Sequence, residues 1–386
     1  MRIVFAKGKL ETMDYFTTQM ESACKNHGVE SYTIDLNDPS GILNDKFVNM
    51  LGQKDCVAFF FNHIGLGILS EGKNLWEKYC IPVYDFIVDH PRNFAEWLDH
   101  PISDFHLIVL DENHRTFVQR FFPNVKDILF IPDGGNREEP ALPYRERPID
   151  VLYMGSCQPK IEIFPLIDFL PEGGADFFRC TISTMVQYPQ LTTEDTVDLY
   201  IQQFVPDLAE DKNRALHLDF APYIEAPVRR HFKQLGMRAL NEAGVNVEVY
   251  GKDWAADDYT FGDNIRFHEF IPSGDCNRLA GQAKICLNFM PWFKAGSSER
   301  VFNSMLNGSV SISDRSTYLT ANYEDGRDII FYDLDNPQQM VMDIQWLLEH
   351  ADTAEKIAQA GYEKAFSLDS WDCRFVSFMK YLGENV

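Results

Sequence analysis

The stretch Gly296-Ser297-Ser298-Glu299-Arg300-Val301-Phe302-Asn303-Ser304-Met305-Leu306-Asn307-Gly308-Ser309-Val310-Ser311-Ile312-Ser313-Asp314 decides how this chain is read. It follows an apolar run at 285–290. Ser297 or Ser298 can cap a helix that carries Glu299 in its first turn and Val301, Met305 and Leu306 on one apolar face. Gly308 then stands where a helix ends in the left-handed conformation, and a short buried strand leads to Asp314. The first N–H groups of such a helix lack intrahelical partners and carry partial positive charge, so a turn of this kind can hold a phosphate. Gly296, Ser297 and Ser298 are the candidate turn. Arg300 can present a planar fork to two phosphate oxygens, and Lys294 can supply a second cation.

The same pattern continues outward on both sides. Residues 150–156, 245–250, 265–270, 285–290, 309–313 and 329–332 read as strands separated by helical segments, the alternation that gives a parallel sheet. Ligands of open α/β sheets lie beyond the carboxyl ends of the strands, which singles out Gly155 with Ser156, and Gly251 with Lys252. Between Ser156 and Val245 the chain is far longer than one crossover helix needs. Its Pro-punctuated helical runs read as an insertion at about 158–227, followed by a crossover helix at 228–243.

The first half repeats the alternation, with strands expected at 2–6, 30–36, 56–62, 82–89, 106–111 and 127–131. In the intervening segment 12–27, Met13, Phe16, Met20 and Cys24 recur at helical spacing. Residues 132–143 combine Gly, Pro and charge without apolar period and read as a linker. The expected organisation is a Rossmann-like domain at 1–140, a second at 148–366, and a segment at 367–386, capped at Ser370, that crosses back to the first domain.

Composition narrows the function. A chain of 386 residues favours two cores, and 45% hydrophobic with 24% charged residues is ordinary for a globular protein. A formal charge of −23 argues against nucleic acid as partner, because phosphate backbones are bound by clustered cations. No run is long and apolar enough for a membrane span, and the opening residues carry no secretory h-region, so a cytoplasmic address is expected. Eight scattered cysteines, none at C-x-x-C spacing, are expected to be reduced thiols.

From Arg300 to Asp314 the sequence resembles the R-x-F-E-A-x-A-x-G-x-x-x-x-x-D signature of the group 1 glycosyltransferases related to the CgeB spore maturation proteins. The stretches 150–156, 247–254 and 83–91 resemble the same group. The resemblance implies the α/β GT-B fold, two Rossmann-like domains facing across a cleft, with a nucleotide sugar as donor and an unidentified acceptor. It implies that His268 and Glu269 line the base and that Asn303 stands at the ribose position, where the family has Glu. The other member of the family's glutamate pair would be Ala295. A sugar-nucleotide epimerase of the same fold and a catalytically silent binding protein are the alternative readings.

A transferase that inverts needs a base at a strand end of the first domain. Asp89 and His90 end one strand and His63 another; Asp111 and His114 are a further choice. Asp333-Leu334-Asp335 has the spacing of a metal-holding pair, but its place after the last strand suits helix capping instead. A metal-independent enzyme without a cofactor is expected.

Overall fold

A computed structural model describes residues 1–38, 43–138, 141–158, 173–254 and 259–383. The chain divides into two compact units, one of Met1–Asn136, Pro272–Gly274 and Ser367–Val386, the other of Arg137–Ile271 and Asp275–Phe366.

The first unit is built on a six-stranded parallel sheet in the order β2-β1-β3-β6-β7-β8, with β1 at Arg2–Lys7, β2 at Glu30–Asp35, β3 at Cys56–Phe61, β6 at Val83–Ile87, β7 at Phe105–Val109 and β8 at Asp127–Phe130. A small antiparallel hairpin, β4 at Leu69–Ser70 and β5 at Lys73–Asn74, sits apart from it. Every residue of β3 and β6 is buried, as expected of parallel strands covered on both faces. The helix Glu11–Asn26 covers one face with Met13, Phe16, Met20 and Cys24, the residues whose spacing announced it. Beside it lies the helix Trp371–Tyr381, capped by Ser370 Oγ on the Cys373 amide at 3.2 Å. Trp371 is within 5.1 Å of Phe16 and 5.4 Å of Phe61, and Phe378 within 4.9 Å of Phe59, measured between ring centroids. The unit is thus completed by a segment remote in sequence. The two passages by which the chain leaves and re-enters it run side by side: the Gly135 amide donates to the Asp369 carbonyl at 2.7 Å, and Arg374 Nε to the Asp133 carbonyl at 2.9 Å.

The second unit holds a parallel sheet in the order β11-β10-β9-β12-β13-β14, with β9 at Ile149–Met154, β10 at Val247–Tyr250, β11 at Ile265–His268, β12 at Ala283–Leu287, β13 at Val310–Asp314 and β14 at Ile330–Tyr332. Counted within the unit this is the doubly wound order 3-2-1-4-5-6, whose direction reverses between β9 and β12. The helix Glu299–Leu306 starts at Ser298 and ends before Gly308, whose φ of 75° is the left-handed stop expected there. All of β13 is buried.

Residues 159–172 of the expected insertion lie outside the described residues. From Gly174 onward it is helical: Gly174–Gln187, Thr193–Phe204, Glu210–Ala215, a π-helical turn at Leu216–Phe220, then Ala221–Glu242. Sequence reasoning ended the insertion at Pro227; the helix runs straight through it. An interior proline costs about 3 kcal/mol. Burial of Ile224, Val228 and Phe232 along one face of this helix, and of Met237 on another, offsets that cost. The final helix pair, Pro337–Glu349 and Ala351–Leu368, closes the unit, and all eight cysteines are free thiols.

Candidate functional site

The reversal between β9 and β12 brings together residues from four separate stretches of sequence. At the end of β9, Gly155 crosses Gly251 at the end of β10. A Cβ on Gly251 would lie 2.5 Å from the Gly155 carbonyl carbon, and the backbone there has φ of 150°, so both the close approach and the conformation call for glycine. The Lys252 amide donates to Ser156 Oγ at 3.0 Å, which ties the two strand ends into one edge. A Cβ on Gly155 would meet Arg300 Nη1 at 2.6 Å; the guanidinium occupies the space that the missing side chain leaves.

Arg300 reaches this place from the first turn of the helix Glu299–Leu306. Its Nη1 donates to the Met154 carbonyl at 3.0 Å and its Nε to Ser298 Oγ at 3.2 Å. Opposite stands Lys233, a residue the sequence reading passed over. It lies on the long helix Ala221–Glu242, is 3% exposed, and donates from Nζ to the Ser156 carbonyl at 2.8 Å. Trp292 joins the two: the Lys233 ammonium lies 5.1 Å from its ring centroid, the Arg300 guanidinium 5.7 Å, and that of Arg229 4.5 Å. Arg229 is paired with Glu225 at 2.8 Å. Lys233 and Arg300 form no ion pair among the described residues. Burial first, then the charges of Arg300 and Arg229, pull the Lys233 ammonium down to about 7.

Two cations at the strand ends without a carboxylate partner among the described residues, in a chain of charge −23, have the chemistry to attract an anion with several oxygens. The sequence signal for Lys233 was the cluster Arg229-Arg230-His231-Phe232-Lys233, where Arg229 and Lys233 stand four apart and so share a helix face.

The turn before the helix is more occupied than its sequence suggests. Ser298 caps it, accepting from the Arg300 amide at 3.4 Å and donating to Glu299 at 2.9 Å. Ser297 is fully buried, and the Gly296 carbonyl accepts from Ser316 Oγ at 2.6 Å. Lys294 turns to the Pro189 carbonyl between two insertion helices. Asn303 lies further along the helix and is buried. Asp314, fully buried at the end of β13, accepts from the Met290 amide at 2.6 Å, and burial raises its carboxyl to about 6 against the opposing pull of Lys294. His268 pairs with Glu248 at 2.6 Å and stacks on Tyr250 at 4.4 Å, away from the cations just described in the sheet order.

In the first unit the three candidate bases differ sharply. Asp89 is exposed just past the carboxyl end of β6 and accepts from Asn62 Nδ2 at 3.0 Å. Both ring nitrogens of His90 face Arg92, which donates to Nδ1 at 2.9 Å through Nε and lies 2.8 Å from Nε2 through Nη2. His63 bonds Asp85 through Nδ1, and its ring is walled by Phe94 at 4.7 Å and Trp97 at 5.7 Å. Asp111 caps the helix Glu112–Phe121, and His114 is buried against His90. Asp333 pairs with Arg315 at 3.4 Å; the cap of the following helix is Asn336, not either aspartate.

Residues 229–380 match the family described as glycosyl transferase-like. No curated protein sequence matches the chain. Among solved structures, an alpha-glucosyltransferase in complex with UDP and a 13-mer DNA is similar at a TM-score of 0.59 and 10% identity, covering 99% of each chain. The DNA modifying enzyme beta-glucosyltransferase, studied with and without uridine diphosphoglucose, is similar at 0.56 and 12% identity, covering 99% of this chain and 100% of that one. TarM is similar at 0.49 and 13% identity, over 87% of this chain and 56% of its own length, so the chain spans little more than half of TarM. The fold is that of the GT-B glycosyltransferases, and the match at 229–380 contains Arg229, Lys233, Trp292 and Arg300.

Proposed function

We propose that the chain transfers a sugar from a nucleoside-diphosphate sugar to an acceptor hydroxyl, as a member of the CgeB-related group. The observation that carries this reading is the pair of unmatched cations, Lys233 and Arg300, flanking Gly155 and Ser156 at the sheet reversal, within the segment that matches a glycosyl transferase-like family. UDP and uridine diphosphoglucose, bound by the two glucosyltransferases of the same fold, are the diphosphates to try first.

On this reading the acceptor oxygen attacks the anomeric carbon while its proton passes to Asp89. The bond from that carbon to the diphosphate oxygen breaks, and the electron pair leaves with the diphosphate. Lys233 and Arg300 offset the charge that develops there, the role a divalent ion would otherwise take, so the reaction runs without metal or cofactor. Asp89 is preferred because it is exposed at a strand end, whereas His63 is enclosed and both nitrogens of His90 face Arg92. Attack assisted by a base in this way inverts the anomeric centre.

The charge of −23 supports an acceptor other than nucleic acid, although both glucosyltransferases above carry DNA in their descriptions. Among the described residues no helix is long and apolar enough to cross a membrane, which fits the proposed cytoplasmic setting. Asn303 and Ala295, at the places of the family's glutamate pair, favour one second reading, a binding protein without turnover.

Calorimetric titration of the full chain with UDP and UDP-glucose, followed by assay of UDP release, tests both. Binding with turnover is expected. Binding without turnover favours the second reading, and no binding of any nucleoside diphosphate overturns the first.

A further inference from the structure

The base just assigned is aimed by a turn that the polypeptide adopts only under constraint. Beyond β3, Asn62 and His63 are both left-handed, with φ of 47° and 62°. Asparagine tolerates that region; two successive residues with side chains in it need something to hold them. The holder is Asp85, completely buried in the middle of β6. Its two carboxylate oxygens take both donors of His63, Oδ1 the backbone amide at 2.9 Å and Oδ2 the ring Nδ1. Phe94 and Trp97 then wall the imidazole, whose side chain is 4% exposed.

The turn fixed in this way places the Asn62 side chain across the end of β6, where both halves of its amide are used. Oδ1 accepts from the Val88 amide at 2.9 Å, and Nδ2 donates to Asp89 Oδ2 at 3.0 Å. The two bonds admit one orientation of the amide, because the reverse would set its oxygen against the carboxylate and its NH₂ against a backbone donor. Donation to a carboxylate favours its ionised form, the form that accepts a proton. His90, the next residue, is turned toward Arg92.

We propose that Asn62 is a positioning residue for Asp89, clamped by the buried His63–Asp85 pair, and that it keeps the Asp89 carboxylate oriented for proton transfer. This rests on the reading of Asp89 as base. His63 then acts at one remove from the acceptor: the pair sets the turn, the turn sets the amide, and the amide sets the carboxylate.

The test is a ¹³C-detected titration of the Asp89 carboxyl in the full chain, the signal being assigned by its loss in Asp89→Asn. Asn62→Gly removes the amide and retains a residue suited to left-handed backbone, so the turn survives. The Asp89 pKa is expected to rise by about one unit, the shift that corresponds to ~1.4 kcal/mol of lost preference for the charged form. UDP release from UDP-glucose should fall at least tenfold in turnover while the KM for UDP-glucose stays constant. Asn62→Asp, which keeps the acceptor for Val88 but faces Asp89 with a second carboxylate, should raise the pKa further. An unchanged Asp89 pKa in Asn62→Gly overturns the positioning role, whatever the activity. Undiminished UDP release by Asp89→Asn instead overturns the assignment of the base, and the two failures are read from different measurements.

Discussion

The ammonium of Lys233 lies 2.8 Å from the carbonyl oxygen of Ser156, buried and without a carboxylate partner among the described residues. A carbonyl offers a dipole where an ion pair would offer a charge, so the folded state holds this proton weakly. The ammonium is lowered to about 7 by burial and by Arg300 and Arg229. Between about pH 7 and the ordinary lysine range the unfolded chain binds more protons than the folded one, so this group makes stability rise with pH across that window, and its cost is fully present below it. Lys233→Met should therefore raise Tm at pH 6.5, by roughly 2–4 °C for each kcal/mol relieved, and lose that advantage by about pH 10. Thermal melts at both pH values check this.

A bound diphosphate reverses the sign for the ligand. It favours the charged ammonium, so binding takes up a proton once Lys233 is partly neutral. UDP affinity should hold below pH 7 and decline as pH rises above it, in wild type but not in Lys233→Met. Calorimetry in two buffers of different ionisation enthalpy would show the proton uptake directly.

Arg300→Ala should weaken UDP by about 10- to 100-fold, the worth of one or two charge-assisted hydrogen bonds. Arg300→Lys should recover only part of this, because a point charge replaces a planar fork. Equal UDP affinity in all three proteins would remove Arg300 from the site. Gly155→Ala makes the same point from the other side: its Cβ would sit 2.6 Å from Arg300 Nη1, so UDP binding should fall while Arg300 itself is intact.

Asp314 gives a prediction of opposite pH sense. Its carboxyl is raised to about 6 by burial, so the folded chain holds more protons than the unfolded one between about pH 4 and 6, and stability falls across that interval as pH rises. Asp314→Asn keeps an acceptor for the Met290 amide and should be more stable than wild type above pH 6, with no gain below about pH 4. Urea titrations at pH 4 and pH 7.5 separate the two regimes.

Omission of metal should have no effect. UDP release measured in excess EDTA is expected to equal that in magnesium, and a requirement for a divalent ion would contradict the role given to Lys233 and Arg300.

The sheets were legible in the sequence because their signal is local. Met13, Phe16, Met20 and Cys24 announce a helix by spacing alone, and Ser298 with Gly308 brackets another by capping chemistry. The candidate site was legible where its residues sit at strand ends, as Gly155 and Gly251 do, and in the first turn of a capped helix, as Arg300 does. Lys233 was not, because nothing in the local pattern tells which side of a long helix will face Ser156, and Pro227 divided that helix on paper though not in space. The turn at Asn62 and His63 was equally hidden, since its left-handed backbone is held by Asp85, more than twenty residues away. Local sequence also gave no sign that Ser297 would turn to the buried backbone or that Lys294 would reach a carbonyl of the insertion.

The aromatic closure of the first unit by Trp371, Phe375 and Phe378 bears on how the molecule is born. A ribosome finishes Asn136 and then adds about 230 residues before the helix that covers Phe59 and Phe61 emerges, an interval of roughly ten to fifty seconds. During synthesis the earlier-made unit waits, with part of its core uncovered, while the later-made unit has all of its strands in hand. The order of translation and the order of completion are thus opposed, and nascent chains stalled before residue 371 are where chaperones should be found.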